Sequence, residues 1–292
     1  MAETLLLLDA YSQIYRAYYA IPALTTPTGQ PAQAVFGFTK MVQKLRALYR
    51  PTHLAVVFDL GAPRQRLALL PAYKAQRPPT PPDLESQLPV IRDVVTALGL
   101  PIVEQEGEEA DDLIATLAAR AVADGAQVLI ATTDKDFMQL VRPGIQLLRT
   151  EGAPVTADQV RTRYGVEPAQ MVDLLSLTGD AVDNIPGVPG VGEKTAARLL
   201  TQYGSLANLL AQADTISQPK LQSALREHAA QLAINRQLVT LNTNVTLAMG
   251  WRELVCRPPD KPRLAALYRD LGFTSLLAEL ESRPPAQGDL FA

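Results

Sequence analysis

GEEADDLIATLAARAVADGAQVLIATTDKDFMQL, residues 107–140, decides how this chain folds. Leu113, Ile114, Leu117 and Ala121 recur at helical spacing, which puts Glu109, Asp111 and Asp112 on the opening turn of an amphipathic helix. Val128-Leu129-Ile130-Ala131 is a short apolar run of the kind a buried strand shows, and Asp134 and Asp136 follow its end. Alternation of strand, helix and strand predicts an α/β fold with a mostly parallel sheet, whose ligand crevice opens beyond the carboxyl ends of the strands. Taken singly, these acids have plain explanations. Acidic residues in a first turn complement the helix dipole, and an Asp after a strand caps or turns the chain.

Repetition outweighs the plain explanations. Leu5-Leu6-Leu7-Leu8 is a second apolar run followed by Asp9, and Ala55-Val56-Val57-Phe58 a third followed by Asp59. Asp180 and Asp183 occupy a polar turn, TGDAVDN. If the three strands are neighbours, their ends deliver these carboxylates to one crevice. Two carboxylates ~4 Å apart repel by about 4 kcal/mol at an effective dielectric of ~20, too much for a marginally stable fold to carry several times without a counter-ion. The chain holds only two histidines, His53 and His228, and one cysteine, Cys256. A donor set of oxygens alone selects hard cations, Mg²⁺ or Mn²⁺, and its natural use is a two-metal phosphoryl-transfer site.

Composition leaves this reading open. The 292 residues are 47% hydrophobic and 20% charged, ordinary for a globular protein of one large or two smaller domains. The start, MAETLLLLDA, lacks the basic region of a signal peptide; no run reaches membrane-spanning length, and the single cysteine suits a reducing cytoplasm. A net charge of −3 by itself argues against nucleic acid, yet setting the nine clustered acids aside from 30 leaves 21 against 27 basic residues.

Other stretches fit around the crevice. An aromatic-rich helix after Asp9 carries Arg16 toward it. Residues 60–82, LGAPRQRLALLPAYKAQRPPTPP, are basic and proline-broken; Lys74 and Arg77 can grip phosphates there, and Tyr73 can stack a base. The alternative is a solvated loop with a stiff linker. Asp83 to Leu98 reads as one helix, Pro101-Ile102-Val103 as a short strand, Ile145 to Leu148 as an edge strand, and Val245 to Ala248 as another short strand. In IPGVPGVGEKTAARLL, residues 185–200, Gly187, Gly190 and Gly192 allow a tight turn whose amides, with Lys194 and Thr195, form a phosphate site at a helix start.

With these pieces assembled, the chain resembles the 5′ nuclease family: the 5′→3′ exonuclease domain of bacterial DNA polymerase I and its stand-alone flap endonuclease relatives. EADDLIATLA at 109–118, TTDKDFMQL at 132–140 and LTGDAVDNIPGVPGVGEKTA at 177–196 carry most of the likeness, LLDAYSQIYRAYYA at 7–20 and VVFD at 56–59 the rest. The resemblance implies a PIN-like fold with helices on both faces of the sheet. It divides the chain into a nuclease domain, residues 1–165, with a helical arch at about 60–98, and a helix–three-turn–helix DNA-binding domain, 166–282, before a tail, 283–292. It places the metal ligands at Asp9, Asp59, Glu109, Asp111, Asp112, Asp134, Asp136, Asp180 and Asp183, two Mg²⁺ or Mn²⁺ per site. Lys74 and Arg77 join Asp134 and Asp183 in catalysis. The resemblance puts Arg16 and Tyr73 on the substrate, and downstream duplex on Gly187, Gly190, Gly192, Lys194 and Thr195, often through K⁺. Two departures stand out. Ala10 replaces the usual glycine after the first aspartate, and LALLPA after Arg66 lacks the usual His-Glu.

The implied function is two-metal hydrolysis of DNA phosphodiesters near 5′ ends, as exonuclease and flap endonuclease in replication and repair, by a cytoplasmic, nucleoid-associated monomer. The alternatives are a non-catalytic junction-binding protein and a related ribonuclease. The tail, PPAQGDLFA, matches the short peptide by which bacterial repair proteins dock on the β sliding clamp, with Gln287 as polar anchor, Asp289 beside it, and Leu290 and Phe291 as apolar plugs. Such an ending suits a stand-alone nuclease.

Overall fold

A computed structural model describes residues 3–148 and 154–282. Among them five strands form one parallel sheet in the order β3-β2-β1-β4-β5. β1 is Thr4–Asp9, followed by α1, Ala10–Ala20, and α2, Gln33–Tyr49. β2, His53–Val57, leads through α3, Arg64–Leu69, α4, Pro82–Glu85, and α5, Leu88–Ala97, to β3, Ile102–Val103. α6, Ala110–Ala123, connects to β4, Gln127–Ala131; a 3₁₀ turn, Asp136–Leu140, precedes the edge strand β5, Ile145–Leu148.

β1 lies between β2 and β4, with Leu7 opposite both Ala55 and Ile130, so the three apolar runs are neighbours. The pleat sends Leu5 and Leu7 to one face, against Leu113, Ile114 and Leu117 of α6, and Leu6 and Leu8 to the other, against Ile14, Phe38 and Val42. All four leucines are fully buried, which explains the unbroken apolar run: a parallel strand covered on both faces has no polar side to show. The chain order reverses between β1 and β4, and such a switch point opens a crevice at the carboxyl ends of the two strands.

The remaining helices are α7, Ala157–Tyr164, α8, Met171–Thr178, α9, Glu193–Tyr203, α10, Leu206–Ala211, α11, Pro219–Glu227, α12, Ala229–Val239, α13, Lys261–Asp270, and α14, Thr274–Ser282. Helices α7 to α12 share the α6-side core, so this core runs without a break from the sheet into the helical half. By contrast, α13 and α14 bury Leu264, Tyr268, Phe273 and Leu276 on the other face, beside α2 and α5. The chain returns to the sheet from about residue 251: Trp251 packs edge-on against His53, Val255 bridges His53, and the Leu54 amide donates to the Leu254 carbonyl.

Three local expectations need correction. Asp83 to Leu98 is two helices, because Pro89 starts α5 and buried Gln87 turns its side-chain carbonyl to accept from the Ala34 and Val35 amides at the start of α2. Residues 60–82 open with α3, which has regular structure despite the prolines. Val245 forms no strand; its amide donates to the Thr116 hydroxyl and its carbonyl accepts from Arg120, which pins the segment to α6.

Candidate active site

Asp9 ends β1 and caps α1, accepting from the Ser12 amide at 3.2 Å and from the Thr132 hydroxyl at 2.7 Å. Asp59, just past β2, accepts from the Ala110 amide, the first N–H of α6, at 2.8 Å. Asp111 on the first turn of α6 faces Asp9, Asp59 and Asp134. The Asp134 carboxylate accepts from the Asp136 amide at 2.8 Å, while the Asp134 amide donates to Thr132. Sheet order, with the first turn of α6, thus gathers Asp9, Asp59, Asp111 and Asp134.

Among the described residues no ion pair is made to this group, and Lys74, paired with Glu109, offsets Asp111 and Asp134 only in part. Burial, opposed by the Thr132 and Ser12 hydrogen bonds and reinforced by Asp59 and Asp134, raises the Asp9 carboxyl to about 7. Burial, with repulsion from Asp9, Asp134 and Asp59, holds Asp111 well above the usual range; burial raises Asp134 too. Asp136 is pushed well up by burial and by Asp134, Asp183 and Asp180, and its buried Oδ1 has no hydrogen-bond partner.

A second group is already paired. Arg66 of α3 is buried; its Nη2 donates to Asp112 Oδ1 at 3.0 Å, its Nη1 lies 2.6 Å from Glu109 Oε2 and 2.5 Å from Asp112 Oδ2, and its Nε donates to the Leu238 carbonyl. Lys74 bonds Glu109, Arg77 Nη2 reaches Asp183 at 2.6 Å, and Lys135 reaches Asp180 at 3.0 Å. Burial pulls Lys74 and Arg77 down, but the carboxylates more than offset it and hold both above their ordinary values. The Lys74 amide donates to the Asp183 carbonyl, and Asn184 donates to the Ala72 carbonyl, so loop 180–184 is clipped to the base of the basic segment.

The donors fit hard divalent cations: they are carboxylate oxygens, partly uncompensated, with one orphaned. Among the described residues, however, no three acidic, His or Cys side chains already converge as a metal cage needs. Lys74, Arg77 and Lys135 hold Glu109, Asp183 and Asp180 in ion pairs.

Two family models match in succession. One, described as 5′-3′ exonuclease, N-terminal resolvase-like domain, covers residues 4–165; the other, 5′-3′ exonuclease, C-terminal SAM fold, covers 166–262. The chain belongs to the 5′-3′ exonuclease family. This exonuclease-family chain is 39% identical over 287 residues to DNA polymerase I of Bacillus caldotenax, which covers 97% of this chain and 33% of that protein. It is 43% identical over 284 residues to DNA polymerase I of Pseudomonas aeruginosa, covering 94% and 31%. The chain spans about a third of the length of these curated relatives. Among solved structures, T5 5′-exonuclease with divalent metal ions (zinc) bound matches with TM-score 0.71 at 22% identity, over 95% of this chain and 99% of that one. The catalytic core of Rad2 in complex with DNA substrate matches at 0.61 and 18%, over 96% and 91%. Identities this low establish the fold.

Within this 5′-3′ exonuclease fold, four expected site residues sit differently from the sequence reading. Both Asp112 oxygens are taken, by Arg66 and by the Asn242 amide at 2.8 Å, so Asp112 ties α6 to α3 and to the segment after α12. Tyr73 is buried and cannot stack a base in this state; its hydroxyl donates to Asp183 at 3.0 Å. Arg16 turns from the carboxylates to a groove between α1 and α2, beside Lys40 and Lys44. Gly187 is needed because a Cβ there would lie 2.1 Å from the Thr178 carbonyl oxygen. Gly190, at φ +80°, and Gly192, capping α9, do face open space, with exposed Lys194 beyond them. Arg198 and Lys220 line a groove of about 820 Å³ with Gly190 and Thr195. Arg66, Thr132, Lys135, Arg198 and Lys220 were not marked as site residues from sequence. The polar pair before Asp134 and the lysine between Asp134 and Asp136 were the available signals. Gln287, Asp289, Leu290 and Phe291 lie outside the described residues. Among the described residues no helix is long and apolar enough to cross a membrane.

Proposed function

We propose that this chain hydrolyses DNA phosphodiesters near 5′ ends, as exonuclease and flap endonuclease. The observation that carries the reading is the uncompensated group Asp9, Asp59, Asp111 and Asp134 at the switch point, bordered by Lys74 and Arg77. Asp9, Asp59, Glu109, Asp111 and Asp134 would hold one divalent cation, Mg²⁺ or Mn²⁺, and Asp134, Asp136, Asp180 and Asp183 a second. Metal ions bound there supply an activated water and stabilise the leaving 3′ oxygen. Lys74 and Arg77, released from Glu109 and Asp183, neutralise charge on the scissile phosphate, the electrostatic term that usually dominates. The Thr132 hydroxyl orients Asp9.

Gly190, Gly192, Lys194 and Thr195 grip the downstream duplex by its phosphates, with K⁺ at the turn, and Arg198 and Lys220 extend that grip. Backbone contacts select structure over sequence. The chain works as a monomer, and the tail docks on the β sliding clamp when flaps are processed at a ring on DNA. A labelled 5′-flap duplex, its RNA counterpart and a blunt duplex, each incubated with and without Mg²⁺, test the reading. Mg²⁺-dependent release of short 5′ products from the DNA flap supports it. Binding without cleavage would make the chain a junction-binding protein, and preference for RNA would make it a ribonuclease.

A further inference from the structure

Between α1 and α2 lies a groove of about 270 Å³ that the nuclease reading does not use. Its floor is apolar, from Ala17, Ile21, Phe36, Met41 and Leu45, and its rim carries Arg16 and Lys40. Gln13, only 3% exposed, lines it, and its Nε2 finds no hydrogen-bond acceptor among the described residues. A buried amide without an acceptor is destabilising, so a ligand offering a carbonyl there is favoured. A dry apolar cavity of about 150 Å³ accommodates a benzene ring, so this groove has room for two apolar side chains.

The chain itself supplies a matching segment. Lys40 on the rim pairs with Glu279 of α14 at 2.5 Å, and α14 ends three residues later at Ser282. The eight residues from Ser282 to Leu290 reach up to ~27 Å when extended. The residues that arrive are Asp289, Leu290 and Phe291, one acid followed by two large apolar side chains. We propose that this segment docks in the α1–α2 groove of its own chain. Leu290 and Phe291 cover the apolar floor, Asp289 faces Arg16, and a backbone carbonyl of the segment accepts from Gln13 Nε2. Tethering decides against a second copy as donor, because a short linker holds the segment at ~mM effective concentration. Held this way, Leu290 and Phe291 are withdrawn from any separate partner until something displaces them. The inference is independent of the cleavage chemistry.

Hydrogen exchange of the full chain tests it by mass spectrometry. Residues 13–21 and 36–49 should exchange several-fold more slowly in the unaltered protein than in Leu290→Ala/Phe291→Ala. A fluorescent peptide covering residues 285–292 should bind that double variant and bind the unaltered protein about tenfold more weakly, since the native tail competes. Asp289→Lys in the peptide, or Met41→Glu in the groove, should weaken binding at least several-fold. Equal exchange in both proteins, or equal peptide affinity, would overturn the proposal. Protection that grows with protein concentration would overturn it in favour of a second copy, and protection that appears only with flap DNA in favour of nucleic acid.

Discussion

The two halves of the acidic crevice are built from the same residue type and held in opposite ways. Asp9, Asp59 and Asp111 gather at strand and helix ends with backbone amides and the Thr132 hydroxyl for company, and burial leaves Asp9 and Asp111 reluctant to ionise. Glu109, Asp112 and Asp183 are gripped by Arg66, Lys74 and Arg77 from the segment after β2. The first half is an unmet demand for positive charge; the second is a demand met by the protein itself. Proximity of carboxylates therefore does not by itself define a ligand set. The counter-charge already present separates acids open to a cation at once from acids such as Glu109 and Asp183, which first have to give up an internal partner, and from Asp112, whose oxygens tie α6 to α3.

The largest expected contrast comes from alanine at the two kinds of position. Asp111→Ala or Asp134→Ala should reduce single-turnover flap cleavage by at least ~10³-fold while leaving flap affinity within about tenfold, because each removes a ligand from the uncompensated half. Normal rates at saturating Mg²⁺ would break the comparison. Asp112→Ala should act mainly on stability, lowering the unfolding free energy by about 3 kcal/mol because Arg66 is left buried with half its partners. Urea denaturation reads this. An unchanged midpoint with lost cleavage would move Asp112 into the ligand set.

Lys74→Ala should have a double effect: slower cleavage at unchanged DNA affinity, and tighter Mn²⁺ binding without DNA, since Glu109 loses an internal competitor. Titration calorimetry with Mn²⁺ alone checks the second part, and an unchanged or weaker affinity would refute it.

The pH response separates the halves again. Asp9 goes from 3.8 when unfolded to about 7 when folded, so the folded state holds its proton more tightly and loses stability as pH rises through that interval. Chelated protein should melt several degrees lower at pH 8 than at pH 5, and Mg²⁺ should shrink the difference, because the ion replaces the proton. Melting curves with EDTA and with Mg²⁺ decide it. The smallest effect is expected far from the crevice: Lys194→Ala should flatten the salt dependence of duplex binding by roughly one unit of slope, equally for all sequences.

Much of this molecule was legible before folding. Unbroken apolar runs named the buried parallel strands, because strands covered on both faces carry no polar alternation. Acids repeated after those runs named the crevice, and the glycines at 190 and 192 named a turn open to solvent. What remained hidden depends on distance in space. Neither Arg66 nor Tyr73 carries any mark of burial within its basic, proline-rich surroundings; both became interior only when α3 packed between α6 and α12 and brought Glu109, Asp112 and Asp183 within reach. Arg16 looked like a neighbour of Asp9 along one helix, yet the turn of that helix carries it to the α2 side.

The sequence by itself determined the strands, their acidic ends and the oxygen-only chemistry, since these follow from local periodicity and from which side chains are present. The tertiary structure alone decided which acids are neutralised and which stand uncompensated. Coulomb energy and desolvation depend on separations between residues dozens of positions apart, and only the packed chain sets those separations.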